Sequence, residues 1–362
     1  MGDGGSLHGP HPVAADRARP HPRRNSHGGA PSNLQLSQFS MHTCVPAMRR
    51  GRRGYQAGHV CRGSDHETMV PVDDFPMPRN LIESAEQDDR QRTWIATLPE
   101  TVKQMAQRWS LDVDEPFQPG GQTAWVAPVR AGATSDLVLK VAWRHTEGAH
   151  EADGLREWDG HGAVRLSASS EFDDTIALLI ERCVPGTTLA TVPEPEQDVV
   201  VATLLSRLWR EPALGHRFRP LLEMCEQWAD GFERKVAAGR GVLDRGLARE
   251  GITLFRTLPA TAERNVLLCT DLHAGNILAA EREPWLVIDP KPYIGDPTYD
   301  ALQHMLNCDK RLRANPRSLA LRMADLLGVD GERLLLWLFA RCVQESPDWP
   351  TLGEVARRIV PT

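Results

Sequence analysis

No uninterrupted apolar run in these 362 residues is long enough to span a bilayer. The N-terminus carries none of the apolar core of a secretory signal. Cysteine is scarce and scattered: Cys44, Cys61, Cys183, Cys225, Cys269, Cys308 and Cys342 form no C-x-x-C pair. An odd, dispersed set excludes a disulfide framework and a zinc cluster, and predicts free thiols in a reducing compartment. The chain is therefore read as soluble and cytoplasmic, with no membrane partner. No internal repeat and no G-x-G-x-x-G motif is present.

Lysine and tryptophan are both missing from residues 1–68, which hold nine Arg and four acids, a count of +5. Since the whole chain carries -6, the remainder carries -11. The same stretch holds seven of the thirteen His and is dense in Gly, Pro and Ser, and all ten Trp lie at or beyond Trp94. Such a composition buries too little apolar surface to offset its ordering entropy. Residues 1–68 are expected to be a disordered basic extension. A nucleic-acid-binding arm is the rival reading, but the charge is thin and aromatic side chains are nearly absent. Met69, just ahead of Val70-Pro71-Val72, offers an alternative start of translation.

Beyond residue 68 the hydrophobic pattern alternates in kind. Trp94, Leu98, Val102, Met105 and Trp109 recur at helical steps, predicting two helices over 81–110. Strand signals over 123–129 and 136–142 flank a turn-rich 131–134, a hairpin. Its entry, Pro119-Gly120-Gly121-Gln122-Thr123, has two glycines whose backbone can approach a phosphate closely, although Gly-Gly turns are commonplace. Lys140 lies in the second strand, where a half-buried lysine is costly unless paired. A helix over 147–158 follows, and Glu151, Leu155 and Trp158 share one of its faces, with Glu147 one turn earlier. Spacing alone leaves Glu147 and Glu151 both open as partners for Lys140. Strands at 164–166 and 175–181 close the sheet. Helical patterns then run through 197–251, with Leu204, Leu205, Leu208 and Trp209 as one stripe and Trp228 and Phe232 as another, and again at 298–308, 316–327 and 331–345. Sheet first and helices after makes an α+β chain with two lobes.

Between these helices lies Cys269-Thr270-Asp271-Leu272-His273-Ala274-Gly275-Asn276, followed by Val287-Ile288-Asp289. Asp271, Asn276 and Asp289 stand at steps of five and thirteen residues, with apolar segments on either side. That arrangement reads as a short loop and then a β-hairpin returning the last carboxylate to the first. Phosphoryl transfer needs such a trio: one carboxylate to take the proton of the attacking hydroxyl, an amide oxygen and a second carboxylate to hold Mg²⁺ on the phosphates. The plain structural alternatives are helix or turn capping for Asp271 and an Asp-Pro turn for Asp289.

The trio, joined to Asp289-Pro290-Lys291-Pro292-Tyr293-Ile294-Gly295-Asp296-Pro297-Thr298-Tyr299-Asp300, resembles the aminoglycoside phosphotransferase superfamily, and within it the streptomycin 6-phosphotransferase and hydroxyurea phosphotransferase branch. The resemblance spans residues 78–361. It implies a protein-kinase-like fold, a nucleotide-binding lobe over 69–183, a helical lobe with catalytic loop and substrate site over 184–362, and ATP and Mg²⁺ as cofactors. It makes Asp271 the general base, and Asn276 and Asp289 the Mg²⁺ ligands. Lys140 becomes the phosphate-binding lysine, with Glu151 the favoured partner. The segment from Glu181 through Cys183 becomes a hinge that pairs with adenine through backbone groups. Gly120 and Gly121 approach the phosphates. His273 braces the loop, Cys269 is a buried neighbour of the base, and Asp296 and Asp300 anchor the loop. Many members carry His-Gly before the catalytic Asp; Cys269-Thr270 stand there instead, so the bracing of this loop must differ. No D-F-G or A-P-E segment is present, which disfavours a protein substrate.

The expected acceptor is a small molecule with a hydroxyl, an aminoglycoside such as streptomycin or hydroxyurea, acted on by a monomer or dimer. A polycationic acceptor would want carboxylates, for which Glu223, Glu226 and Asp230, or Glu345 and Asp348, are available; a solvated face accounts for them equally well. The alternatives are a kinase of a metabolite alcohol (choline, homoserine or a sugar amine) and a nucleotide-binding regulator without turnover.

Overall fold

The computed structural model describes residues 75–361 apart from Ala133 and Val242. The basic extension 1–68 and the alternative start at Met69 lie outside the described residues. Three helices come first, α1 (Arg79–Ala85), α2 (Asp89–Ile95) and α3 (Leu98–Trp109). The sequence predicts two here. The extra break is made by Asp88, whose side chain caps α2 by accepting from the backbone N–H groups of Arg90 and Gln91. Pro99 sits in the first turn of α3, where its missing N–H costs nothing.

The sheet that follows is antiparallel, in the order β1-β2-β3-β5-β4. Its strands are β1 (Leu111–Val113), β2 (Ala124–Ala131), β3 (Thr134–Trp143), β4 (Leu166–Phe172) and β5 (Thr175–Glu181). Alternation gives it two faces. Trp125, Ala127, Val129, Leu139, Val141, Ala177 and Leu179 pack with Leu81, Trp94, Leu98, Val102 and Met105 of the leading helices. Val138, Ile176, Leu178 and Ile180 point the other way and join a second, larger core that continues into the helical part. Lys140 is in register with Leu178 and so lies on this inner face.

Helix α4 (Glu151–Trp158) covers the inner face. It begins at Glu151; residues 147–150 form turns, so the expected helix loses its first turn and Glu147 leaves the helical face. At Gly154 a Cβ would come within 2.4 Å of the Pro292 ring, so glycine is what lets α4 lie directly on the segment that follows Asp289.

The helical part contains α5 (Glu194–Leu208), α6 (Leu221–Lys235), α7 (Arg245–Thr257), α8 (Leu302–Asn307), α9 (Asp309–Ala314), α10 (Pro316–Leu327), α11 (Gly331–Glu345) and α12 (Pro350–Arg358). Two small sheets are set into it. One has the order β6-β8-β9, from β6 (Pro185–Thr188), β8 (Ile277–Ala280) and β9 (Leu286–Val287); the other pairs β7 (Val266–Leu268) with β10 (Tyr293–Gly295). Among the described residues no helix is long and apolar enough to cross a membrane.

Candidate active site

The loop after β7 is built around one acid. Asp300, fully buried, accepts from the backbone N–H of Cys269 at 3.0 Å and of Thr270 at 2.6 Å, and from the indole of Trp209 at 3.0 Å. Burial pushes its carboxyl up to about 6, against the pull of those donors. Thr270 sits in the left-handed region at φ 50, and its hydroxyl donates to the carbonyl of Lys291 at 2.6 Å. The Lys291 N–H returns a bond to the Cys269 carbonyl at 2.9 Å. These bonds are the bracing that Cys269-Thr270 require, and they turn the chain sharply just before Asp271.

Asp271 is 2% exposed, and its Oδ1 has no hydrogen-bond partner among the described residues. Burial pushes the carboxyl up to about 8; Lys291 opposes this, while Asp289 and Glu147 add to it. A buried acceptor left without a donor is uncommon and costly. Here it is the oxygen that a ligand hydroxyl could satisfy.

Asn276 donates its side-chain amide to the Asp271 carbonyl at 3.0 Å, which commits the nitrogen and leaves the side-chain oxygen to accept or to ligate a cation. Its own carbonyl accepts from the Ile288 N–H at 2.9 Å. Together with the β8–β9 pairing of Ile277 with Val287, that bond brings Asp289 back beside the loop. Asp289 is itself left-handed, at φ 53. Its Oδ1 accepts from Lys140 at 2.6 Å and from Lys291 at 2.5 Å. Desolvation alone would raise the carboxyl, but the two ammoniums hold it well below the usual carboxylate range. The side chain keeps 37% of its surface open, room for a further cation. Carboxylate and amide oxygens are the donor set that suits a hard, octahedral divalent ion.

Lys140 is 6% exposed, and its ammonium also bonds both oxygens of Glu151, at 2.7 Å each. Burial raises the Glu151 carboxyl, with Lys140 working against it and Asp289 with it. Glu147, the other candidate partner, lies elsewhere. It is hydrogen-bonded to Trp228 and pushed up to about 7 by burial, opposed by Lys291, Arg341 and Arg219. Glu147 thus contributes to the field around Asp271, and Arg341 stacks on the same indole at 4.2 Å.

Other residues singled out in the sequence play different parts, several of them away from this cluster. Gly120 has φ 77 and would meet Pro78 at 2.4 Å if it carried a Cβ; its carbonyl accepts from Asn80 at 2.9 Å. The visible demand for glycine there is packing against the start of α1. Gly121 has ordinary space around it, with Ala124 O nearest at 3.5 Å. Both Glu181 oxygens are bonded to Arg282 at 2.8 Å, and one also accepts from the Arg165 N–H at 3.0 Å. That side chain is committed, which leaves main-chain groups for any hinge role. Cys183 is half-buried, its thiol pushed up to about 11 by burial. The His273 ring accepts from the Gly275 N–H at 3.1 Å, and burial pulls it down to about 4, so it is a neutral brace. Asp296 caps Thr298 at 2.9 Å and takes Arg333 and Trp337 at 2.6 Å each. It therefore fastens α11, whereas Asp300 alone of the two acids holds the loop. Glu226 and Asp230 are exposed and share Arg256, and Asp348 is paired with Lys235 and Arg240. Asp198, His304 and Cys308 converge in a buried group, but Arg311 and Arg322 already sit on the Asp198 carboxylate at 2.7 Å, leaving it no charge for a metal.

Lys291 escaped the sequence reading. The signal was present: it stands two residues after Asp289, the spacing that puts side chains on one side of an extended segment.

A sequence model of the family described as aminoglycoside/hydroxyurea antibiotic resistance kinase matches residues 108–351. The chain is 34% identical over 262 residues to a streptomycin 6-kinase of Streptomyces glaucescens, covering 70% of this chain and 84% of that protein. It is 36% identical over 269 residues to a hydroxyurea phosphotransferase of Kitasatospora aureofaciens, covering 73% and 77%. Against a streptomycin 6-kinase of Streptomyces griseus the identity is 33% over 287 residues, covering 77% and 92%.

Proposed function

The chain belongs to the aminoglycoside/hydroxyurea antibiotic resistance kinase family, and from that premise we propose that Asp271 is the base of an ATP-dependent phosphotransferase acting on a hydroxyl of a streptomycin-like aminoglycoside. The observation that carries the assignment is the orphaned Asp271 Oδ1, buried at the tip of a loop that Asp300 fixes through two backbone bonds.

In this reading the acceptor hydroxyl donates to Asp271, which takes its proton as the acceptor oxygen bonds to phosphorus and the bond to the nucleoside diphosphate breaks. Asn276 and Asp289 hold Mg²⁺, which supplies charge neutralisation on the phosphates. Lys140, kept in place by Glu151, binds the phosphate chain. The nucleotide belongs chiefly to the part over 69–183 and the acceptor to that over 184–362. Catalysis is then positioning plus fixed charge. Glu147, buried beside Asp271, favours a cationic acceptor, because a second carboxylate there gains from a guanidinium or ammonium. Hydroxyurea is the second reading, supported by the relative of that name.

The test is purified protein with ATP and Mg²⁺ against streptomycin, hydroxyurea, choline and homoserine, with mass spectrometry for an added phosphate. Phosphate on streptomycin is expected. Phosphate on choline or homoserine alone would make this a metabolite kinase, and nucleotide binding with no product on a wider panel would make it a regulator.

A further inference from the structure

Resting on the phosphotransferase reading, we propose that Lys291 is a second phosphate-handling lysine, which takes the terminal phosphoryl group while Lys140 keeps the rest of the phosphate chain. Two ammoniums share one oxygen of Asp289, at 2.6 Å and 2.5 Å. Their positions are not equivalent. Lys140 holds both oxygens of Glu151 as well and stays neutralised if Asp289 takes another cation. Lys291 has no second hydrogen-bonded carboxylate among the described residues, and at 6% exposure it has little water to fall back on. It is the ammonium that must find a new anion once Asp289 is engaged by a metal, and the phosphoryl oxygens arriving between Asp271 and Asp289 provide one.

The main chain of Lys291 is suited to that role. Its N–H is bonded to Cys269, its carbonyl takes the Thr270 hydroxyl, and Pro290 and Pro292 flank it, with Pro292 against Gly154. The Cα is thereby fixed to the same loop that carries the base, and only the flexible four-carbon stem has to move. In the transfer step the acceptor oxygen bonds to phosphorus, the bridging P–O electrons leave on the diphosphate, and the acceptor proton goes to Asp271. Lys291 keeps its proton throughout and supplies charge alone.

The test compares nucleotides without any acceptor. Binding of ADP and of the non-hydrolysable β,γ-imido analogue of ATP, each with Mg²⁺, is measured by calorimetry for the parent, Lys291→Met, Lys291→Arg and Lys140→Met. Lys291→Met should weaken the triphosphate analogue about tenfold or more, the loss of one charge-assisted contact, and leave ADP within about twofold. Lys140→Met should weaken both. Lys291→Arg should restore most of the preference for the triphosphate. In turnover, Lys291→Met should lower kcat by about 10²-fold, the scale for one lost transition-state donor, at unchanged acceptor KM. Equal weakening of both nucleotides, or of neither, overturns the proposal. Should the Met variant not fold, Lys291→Gln gives the same ratio. A parent that binds both nucleotides yet phosphorylates no acceptor defeats the functional reading, while the ratio still decides Lys291.

Discussion

Asp271 and Asp289 occupy two loops that begin alike: each carries a left-handed residue, Thr270 just before Asp271 in one and Asp289 itself in the other, and each is tied by hydrogen bonds to the other's segment. They end in opposite electrostatic states. Asp271 has an oxygen without a partner and a carboxyl pushed up to about 8, whereas Asp289 carries two ammoniums and is held far down. Desolvation pushes both the same way, so the contrast comes from the lysines. Lys140 and Lys291 both touch Asp289, and neither bonds Asp271. Divergent environments of this kind separate a proton acceptor from a permanent anion within one site.

The sharpest break is to remove the unpartnered acid. Asp271→Ala should cost about 10²–10⁴-fold in turnover, the usual worth of a positioned base, with ADP affinity nearly unchanged. Steady-state rates and calorimetry check this, and undiminished turnover in a folded variant would assign the base elsewhere. Removing the partnered acid should instead damage the resting protein. Asp289→Ala leaves the Lys291 ammonium without its hydrogen-bonded carboxylate, while Lys140 keeps Glu151, and a fully buried broken pair costs about 3–5 kcal/mol. Since the Asp289 side chain is 37% exposed, solvent screening reduces the expected loss to roughly 1–3 kcal/mol. Denaturant melts measure that loss. Mg²⁺ titration of the rate should show a raised metal requirement, with Asn276→Ala shifted less; superimposable metal curves would take both residues out of the metal shell.

The third comparison separates the two candidate partners of Lys140. Lys140→Met and Glu151→Gln should be non-additive, with a coupling of about 0.5–3 kcal/mol in a double-mutant cycle, while Glu147→Gln combined with Lys140→Met should be additive. A coupling that follows Glu147 would reverse the pairing. The smallest effect concerns pH. Asp271 has a raised folded pKa, so its protonated form favours folding: the contribution is full below its ordinary value, and is lost as pH rises through about 8. The melting temperature of Asp271→Asn should therefore climb relative to the parent between pH 5 and 8.5. A change of a few degrees is expected, since roughly 1 kcal/mol moves a chain of this size by about 2–4 °C. A difference that stays flat across that range would mean Asp271 ionises at its ordinary value.

The parts of this site legible in the sequence are those where chemistry dictates residue type and local structure dictates spacing. The loop-and-hairpin step that carries Asp271, Asn276 and Asp289 is short-range, and so is the strand alternation that turns Lys140 inward. Glu151 could be ranked against Glu147 only by resemblance, because the turns at 147–150 that delay the start of the helix have no strong signature. The missed contacts are long-range. Arg256 gathering Glu226 and Asp230, Arg282 occupying Glu181, and Trp337 and Arg333 taking Asp296 join residues distant in sequence, and no local periodicity encodes them. Lys291 has a local position two residues after Asp289, but what its ammonium bonds depends on how the segment folds back on Asp289, which spacing alone does not state.

Asp300 bears on the order in which a ribosome delivers this protein. The acid that fixes Cys269 and Thr270 follows them by 31 and 30 residues. A nascent chain that has displayed Asp271 and Asp289 still lacks the side chain that gives the loop its shape. The site therefore cannot be finished piecemeal as it emerges. Its last component arrives with the turn leading into α8, and a chain halted before that point would hold nearly every reactive group without the means to aim them.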